Sequence, residues 1–204
     1  MAFGEVGVPV SYEGGDKKDR QYGTLEQIRP DHVRRYLLAA NVIPYGAETL
    51  DLACGCGYGS WLLHGAGLDV TSVDISSEAL EYARKHYQGP KYIQQRAEDT
   101  KGEFDAFVTF ETLEHIPDPV SLLKNVKAKI LIASVPNEER YPFKKENFEG
   151  ESYPHLRHYT PQEFRDLLSE GGYKVADMVC QKDKGGYFFP GTDGMFLIAI
   201  ARPQ

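Results

Sequence analysis

Two acids and three glycines are the residues in the first half of this chain whose types and spacing could do chemistry. Asp51 sits within the run Leu50-Asp51-Leu52-Ala53-Cys54-Gly55-Cys56-Gly57-Tyr58-Gly59, and Asp74 closes the next apolar stretch, 68–73. Glycine has no Cβ, so a loop rich in it turns sharply and lets a ligand approach its backbone. A carboxylate at the end of the second strand of a strand–loop–helix unit commonly binds both hydroxyls of a ribose. The pair points to an adenosine-containing cofactor. The dinucleotide fingerprint G-x-G-x-x-G does not fit, because its last position, counted from Gly55, falls on Ser60. The register is G-x-G-x-G with Asp51 ahead of it. A carboxylate there repels a pyrophosphate. It suits a ligand that carries an ammonium and a sulfonium and no phosphate.

S-adenosylmethionine is such a ligand, and the order of segments agrees with it. Residues 49–59 resemble motif I of the class I S-adenosylmethionine-dependent methyltransferases, and Val73-Asp74-Ile75-Ser76 resembles their ribose-binding acidic motif. Arg96-Ala97-Glu98-Asp99 falls where the family flanks the adenine. Residues 104–116 resemble the fourth strand and the loop after it, and Ser134-Val135-Pro136-Asn137 the end of the fifth. The ordered match covers residues 32–140. Three departures stand out: Ala53 replaces the usual first glycine, Arg96 occupies a place where many members carry an acid, and 126–129 lacks a Pro-Gly-Gly turn. The resemblance implies that Asp51, Ala53, Gly55 and Gly57 hold the methionine part and Asp74 the ribose. Ile75, Ala97 and Glu98 would flank the adenine, and Glu111 would lie near the sulfonium. The product would be S-adenosylhomocysteine.

The acceptor side is read from the second half. Glu111, Glu114 and His115 follow the fourth strand; Glu114 and His115 fit a substrate role and a helix cap equally well. Residues 141–159 have neither helical nor strand periodicity but hold Phe143, Phe148, Tyr153, His155, Arg157, His158 and Tyr159. A long irregular loop in a compact domain is usually functional or disordered. We read it as a lid inserted in a methyltransferase domain of residues 31–204, with an arm over 1–30. Residues 155–161 are similar to a segment of glycan-linked and ubiquinone-type methyltransferases. An acceptor hydroxyl would profit from a general base, with His115, His155 and His158 as candidates. Tyr22, Arg157 and Tyr159 are candidate acceptor contacts. Cys54 and Cys56 form a C-x-C pair with no second pair nearby, so no metal site is expected.

The elements that must position these residues are an alternation of strands and helices. Strands are predicted over 48–53, 69–74, 91–95, 105–110, 129–135, 174–181 and 195–202. Helices are predicted over 30–40, 59–66, 77–87, 119–126 and 161–170. This is an α/β fold: a seven-stranded, mostly parallel, Rossmann-like sheet with helices on both faces and a C-terminal antiparallel hairpin at one edge. The first helix should bury Val33, Tyr36, Leu37 and Ala40. Thr160, Pro161 and Glu163 form a capping-box pattern. The chain has 204 residues, 41% of them hydrophobic, enough for one full core. No run approaches the ~20 apolar residues of a membrane span, and no secretory signal is read. Three cysteines make no disulfide framework, so a reducing cytoplasm is expected. A net charge of −7 argues against a binder of nucleic-acid phosphates. The expected activity is methyl transfer to a small-molecule or glycan-linked acceptor, on oxygen or nitrogen. A cofactor-binding pseudoenzyme or partner subunit, or a protein or nucleic-acid methyltransferase, is the alternative. An adenine-N6 enzyme would need an Asn/Asp-Pro-Pro-aromatic tetrad where Phe110-Glu111-Thr112-Leu113 stands.

Overall fold

A computed structural model describes residues 28–204. Tyr22 and nearly all of the expected arm lie outside the described residues. The first helix, α1, spans Pro30–Val42 and ends at Ile43, whose extended backbone precedes Pro44. Then come β1 (Glu48–Leu52), α2 (Tyr58–Gly65), β2 (Asp69–Asp74), α3 (Ser77–His86), β3 (Lys91–Gln94) and β4 (Gly102–Phe110). They are followed by α4 (Pro119–Asn125), β5 (Val126–Pro136), α5 (Pro161–Glu170), β6 (Tyr173–Gln181), β7 (Phe188–Pro190) and β8 (Phe196–Pro203). The sheet order is β3-β2-β1-β4-β5-β8-β6-β7. The first five strands pair in parallel, and β8 runs antiparallel to both β5 and β6.

Side chains alternate between the two faces of each strand, with a period of two. Leu50, Leu52, Phe107, Leu131 and Ala133 face α4 and α5, where they meet Leu122, Leu123, Phe164 and Leu168. Val70, Val108, Ile130 and Ile132 face α1 and α2, where they meet Tyr36, Ala39, Tyr58 and Leu63. Ser76 caps α3 by accepting from Ala79 N at 3.2 Å. The capping box on α5 forms as expected, Thr160 Oγ1 accepting from Glu163 N and Glu163 Oε2 from Thr160 N.

The predicted class holds, with three differences. The sheet has eight strands, because the three-residue β7 pairs with β6 at the edge; it is too short for periodicity to reveal. The C-terminal strands do form an antiparallel pair, but β8 lies inside the sheet, between β5 and β6. The missing Pro-Gly-Gly turn has a structural counterpart: α4 passes into β5 at Val126 with no loop between them. The first helix also buries a different face from the expected one. Asp31, Arg35, Tyr36 and Ala39 are buried, while Leu37 is 44% exposed.

Candidate active site

Parallel strands place the loops after β1, β2, β4 and β5 at one edge of the sheet. The crevice there opens where strand order reverses, between β1 and β4. The glycine loop occupies its centre. Ala53 has φ 60°, Gly55 55° and Gly57 87°, so the chain leaves β1 through three left-handed residues and enters α2 at Gly57. Ala53 carries a Cβ in a region that favours glycine, which explains why the family uses glycine there. Gly59 serves packing: a Cβ on it would lie 2.0 Å from the Tyr36 ring.

The two acids of the loop are both held by the protein. Asp51 is fully buried and accepts from Ser60 Oγ at 2.6 Å and from the Tyr36 hydroxyl at 3.2 Å. Burial pushes its carboxyl up to about 7, against the lowering effect of those two hydrogen bonds. It therefore sits beneath the loop, joined to α1 and α2, and does not open onto the crevice. Asp74 is half-buried; its Oδ2 accepts from Gly55 N and its Oδ1 from Ser76 N, both at 2.8 Å. That contact ties the end of β2 to the glycine loop. Ile75, next in the chain, and Ala97 are half-buried. Glu98 is engaged by Arg96, 2.8 Å away.

Beyond β4 the backbone is strained. Glu111 has φ 50°, and its N–H donates to Ser134 O at 3.0 Å. Its Oε1 accepts from Ser134 Oγ at 2.8 Å. The same oxygen stands 3.2 Å from Nη1 of Arg35, an ion-pair contact off the hydrogen-bonding direction. Arg35 is wholly buried. Its Nε donates to Gln181 Oε1 at 2.8 Å, its Nη2 to Asp31 Oδ2 at 3.3 Å, and its guanidinium lies over the Phe196 ring. One cation thus joins α1, β6, β8 and the end of β4.

The tight turn Leu113–His115 then brings Glu114 beneath His115 and His155. Ligand atoms of these three residues lie within 4.8 Å of one another. Glu114 is fully buried, and among the described residues neither carboxylate oxygen has a hydrogen-bond partner. Burial, and then the charge of Glu111, push its carboxyl well above the usual range. Burial, then His115 and His158, bring the His155 imidazole down to about 3. The neighbouring Glu114 and His115 thus meet His155, forty residues further along the chain.

A cavity of about 420 Å³ opens beside this cluster. Glu111, His155, Phe148 and Tyr141 line one side, and His32, Tyr58, Met195 and Phe196 the other. Arg157 and Tyr159 do not line it. Arg157 donates to Pro117 O, and the buried Tyr159 hydroxyl donates to Leu113 O at 3.2 Å. His158 is buried behind His155. A wider groove of about 610 Å³ lies at the opposite end of the sheet, between Glu103, Lys127 and Tyr173, away from the glycine loop. The sequence reading missed Arg35, Ser134 and Gln181. The signal for the first was Asp31 and Arg35 at i, i+4, on the face where apolar residues belong.

Comparison with known proteins agrees with this geometry. The family described as "Methyltransferase domain" matches residues 50–130. A ubiquinone biosynthesis O-methyltransferase of Actinobacillus pleuropneumoniae serotype 5b is 27% identical, covering 85% of this chain and 81% of that protein. The one from Vibrio parahaemolyticus is 34% identical, over 54% of this chain and 50% of that one. Among solved structures, a Thermotoga maritima S-adenosylmethionine-dependent methyltransferase superposes with a TM-score of 0.66 at 20% identity, covering 85% and 90% of the two chains. A magnesium protoporphyrin IX methyltransferase of Synechocystis, solved with S-adenosylhomocysteine, gives 0.64 at 20%, over 89% and 88%. The left-handed glycine loop, the acid closing β2, the sheet order and these matches are what the chain shares with the class I S-adenosylmethionine-dependent methyltransferases.

Proposed function

We propose that this chain transfers the methyl group of S-adenosylmethionine to a hydroxyl of a small acceptor with an apolar body. The observation that carries the reading is the position of Glu111. It is held in a strained backbone at the boundary between the glycine loop and a cavity lined by Tyr58, Phe148, Met195 and Phe196. The O-methyltransferase names of the relatives support oxygen as the acceptor atom.

Bound S-adenosylmethionine supplies a methyl group on a sulfonium, a good leaving group, so the protein mainly supplies position. Gly55 and Gly57 offer backbone to the methionine part. Asp51 supports the loop from beneath through Ser60. Asp74 takes the ribose hydroxyls, and Ile75 and Ala97 cover the adenine, with Glu98 beside it. Glu111 sets a negative charge where the sulfonium arrives. His155, neutral at physiological pH, faces the cavity and takes the acceptor proton; His115 and His158 support it. As an alternative to His155 acting as base, its lone pair would hold a divalent cation together with Glu114 and His115, since among the described residues neither Glu114 oxygen has a hydrogen-bond partner. Such a cation would lower the proton affinity of an acceptor oxygen. Residues 141–159 act as a lid over the cavity. Among the described residues no helix is long and apolar enough to cross a membrane. Three free, buried cysteines support a reducing cytoplasm.

Two measurements test this. Calorimetric titration should show S-adenosylmethionine and S-adenosylhomocysteine binding and a nicotinamide dinucleotide not binding. Labelled methyl transfer to a panel of phenols, catechols, sugars and amines should then favour the aromatic hydroxyls. Transfer to amines or sugars alone would overturn the oxygen and aromatic assignments. Hydrogen exchange over 141–159 should slow when cofactor and acceptor are both present; equal protection in both states would remove the lid.

A further inference from the structure

We infer that His158 is a positioning residue: it dictates which ring nitrogen of His155 carries the proton. This rests on the reading of His155 as the site's base or ligand. Three groups, Tyr141, His158 and His155, are joined by two hydrogen bonds whose directions are fixed in turn. His158 Nδ1 lies 2.6 Å from the carbonyl oxygen of Tyr141. A carbonyl only accepts, so Nδ1 carries the proton. Packed out of solvent among Tyr141, Phe143 and Phe148, the ring is taken as neutral, and Nε2 then holds a lone pair. That Nε2 lies 2.9 Å from His155 Nδ1, which must therefore donate. The lone pair of His155 is left on Nε2, the one ring nitrogen not engaged by His158.

His115 reaches the same state by a shorter route. Its Nδ1 lies 3.2 Å from the carbonyl of Pro154, so its lone pair falls on Nε2, which is 4.0 Å from Glu114 Oε1. Both rings are thus set by backbone carbonyls of the segment that overhangs the site. A ring nitrogen becomes a ligand or a base according to the hydrogen bond its other nitrogen makes. His158 also packs among Tyr141, Phe143 and Phe148. A purely structural role would be met by any flat ring of that size. The positioning role needs a donor toward Tyr141 and an acceptor toward His155.

Nitrogen-15 NMR of the imidazoles in the full chain tests this directly, with no acceptor needed. In the parent, His155 and His158 should both show the Nδ1–H tautomer. His158→Gln can offer its amide N–H to Tyr141 and its oxygen to His155, so His155 should stay Nδ1–H. His158→Phe keeps the ring shape without an acceptor, and His155 should move to Nε2–H. Titration with Co²⁺, followed by visible absorption, should give similar affinity for the parent and the Gln variant and a loss of about 10–100-fold in the Phe variant. An Nε2–H tautomer on His155 in the parent overturns the inference, even if the Phe variant fails to fold. So does an unchanged Nδ1–H tautomer in a folded Phe variant. If the tautomers behave as stated but no variant binds Co²⁺, the positioning role stands and the cation reading falls.

Discussion

Two halves of one sheet edge handle polar groups in opposite ways. At the glycine loop, Asp51 and Asp74 spend their oxygens on Ser60, Tyr36, Gly55 and Ser76. The loop is a finished cradle. Across the crevice, Glu111 sits in a strained backbone, Arg35 is wholly buried, and neither buried oxygen of Glu114 has a hydrogen-bond partner among the described residues. Leaving such groups unsatisfied costs stability, so the protein tolerates there what it avoids at the loop. The difference separates a region built to hold a known shape from one built to receive charge.

Arg35→Met should break the comparison most severely. It leaves Asp31 and Glu111 without their buried cation, and we expect urea unfolding to show a loss of about 3–5 kcal/mol. A loss below 1 kcal/mol would mean that the network is not a keystone. Asp51 tests the finished half. Its folded-state carboxyl lies near 7 and its unfolded one near ~4. Between those values the unfolded chain has released a proton that the folded chain keeps. Stability therefore falls as pH rises from about 4 to 7, by roughly 2–4 kcal/mol, and levels off above that. Asp51→Asn should flatten this slope; an unchanged slope would place its origin elsewhere.

Asp74→Ala sharpens the boundary between cradle and ligand site. Affinity for S-adenosylhomocysteine should drop by about 10–100-fold in calorimetry, as charge-assisted bonds to the ribose are lost. Stability should fall by about 1–2 kcal/mol as well, because the Gly55 and Ser76 N–H groups lose their acceptor. Undiminished affinity would remove Asp74 from the site. The smallest effect is Ala53→Gly. Relief of the left-handed backbone at φ 60° should raise thermal stability by up to about 1 kcal/mol. A clear loss would show that the Ala53 methyl packs more than it strains.

The legible part of the molecule was the part governed by local chemistry. Glycines with positive φ, an acid closing β2, strand alternation and the Thr160–Glu163 box all act over a few residues, and each left its mark on the sequence. The illegible part depends on distance. Arg35 meets Gln181 and Glu111 meets Ser134 only because β4, β5 and β6 converge. Glu114 reads as an ordinary cap until His155, forty-one positions later, is folded over it. The inward position of β8 was hidden for the same reason: a strand's pattern reports its burial and not its neighbours.

The segment over the cavity is stitched shut at its base. Asn137 bridges Tyr159, Glu138 N donates to Tyr159 O at 2.9 Å, and Tyr159 N to Pro136 O at 3.2 Å. Because these bonds already bring the two ends together, lengthening or shortening the span between them adds little closure entropy, about 0.6 kcal/mol per doubling. The sheet does not register such a change. In evolutionary terms the span is an exchangeable cassette. Acceptor preference can drift by insertion, deletion or replacement between residues 142 and 153, short of Pro154 and His155, while the cofactor cradle stays as it is.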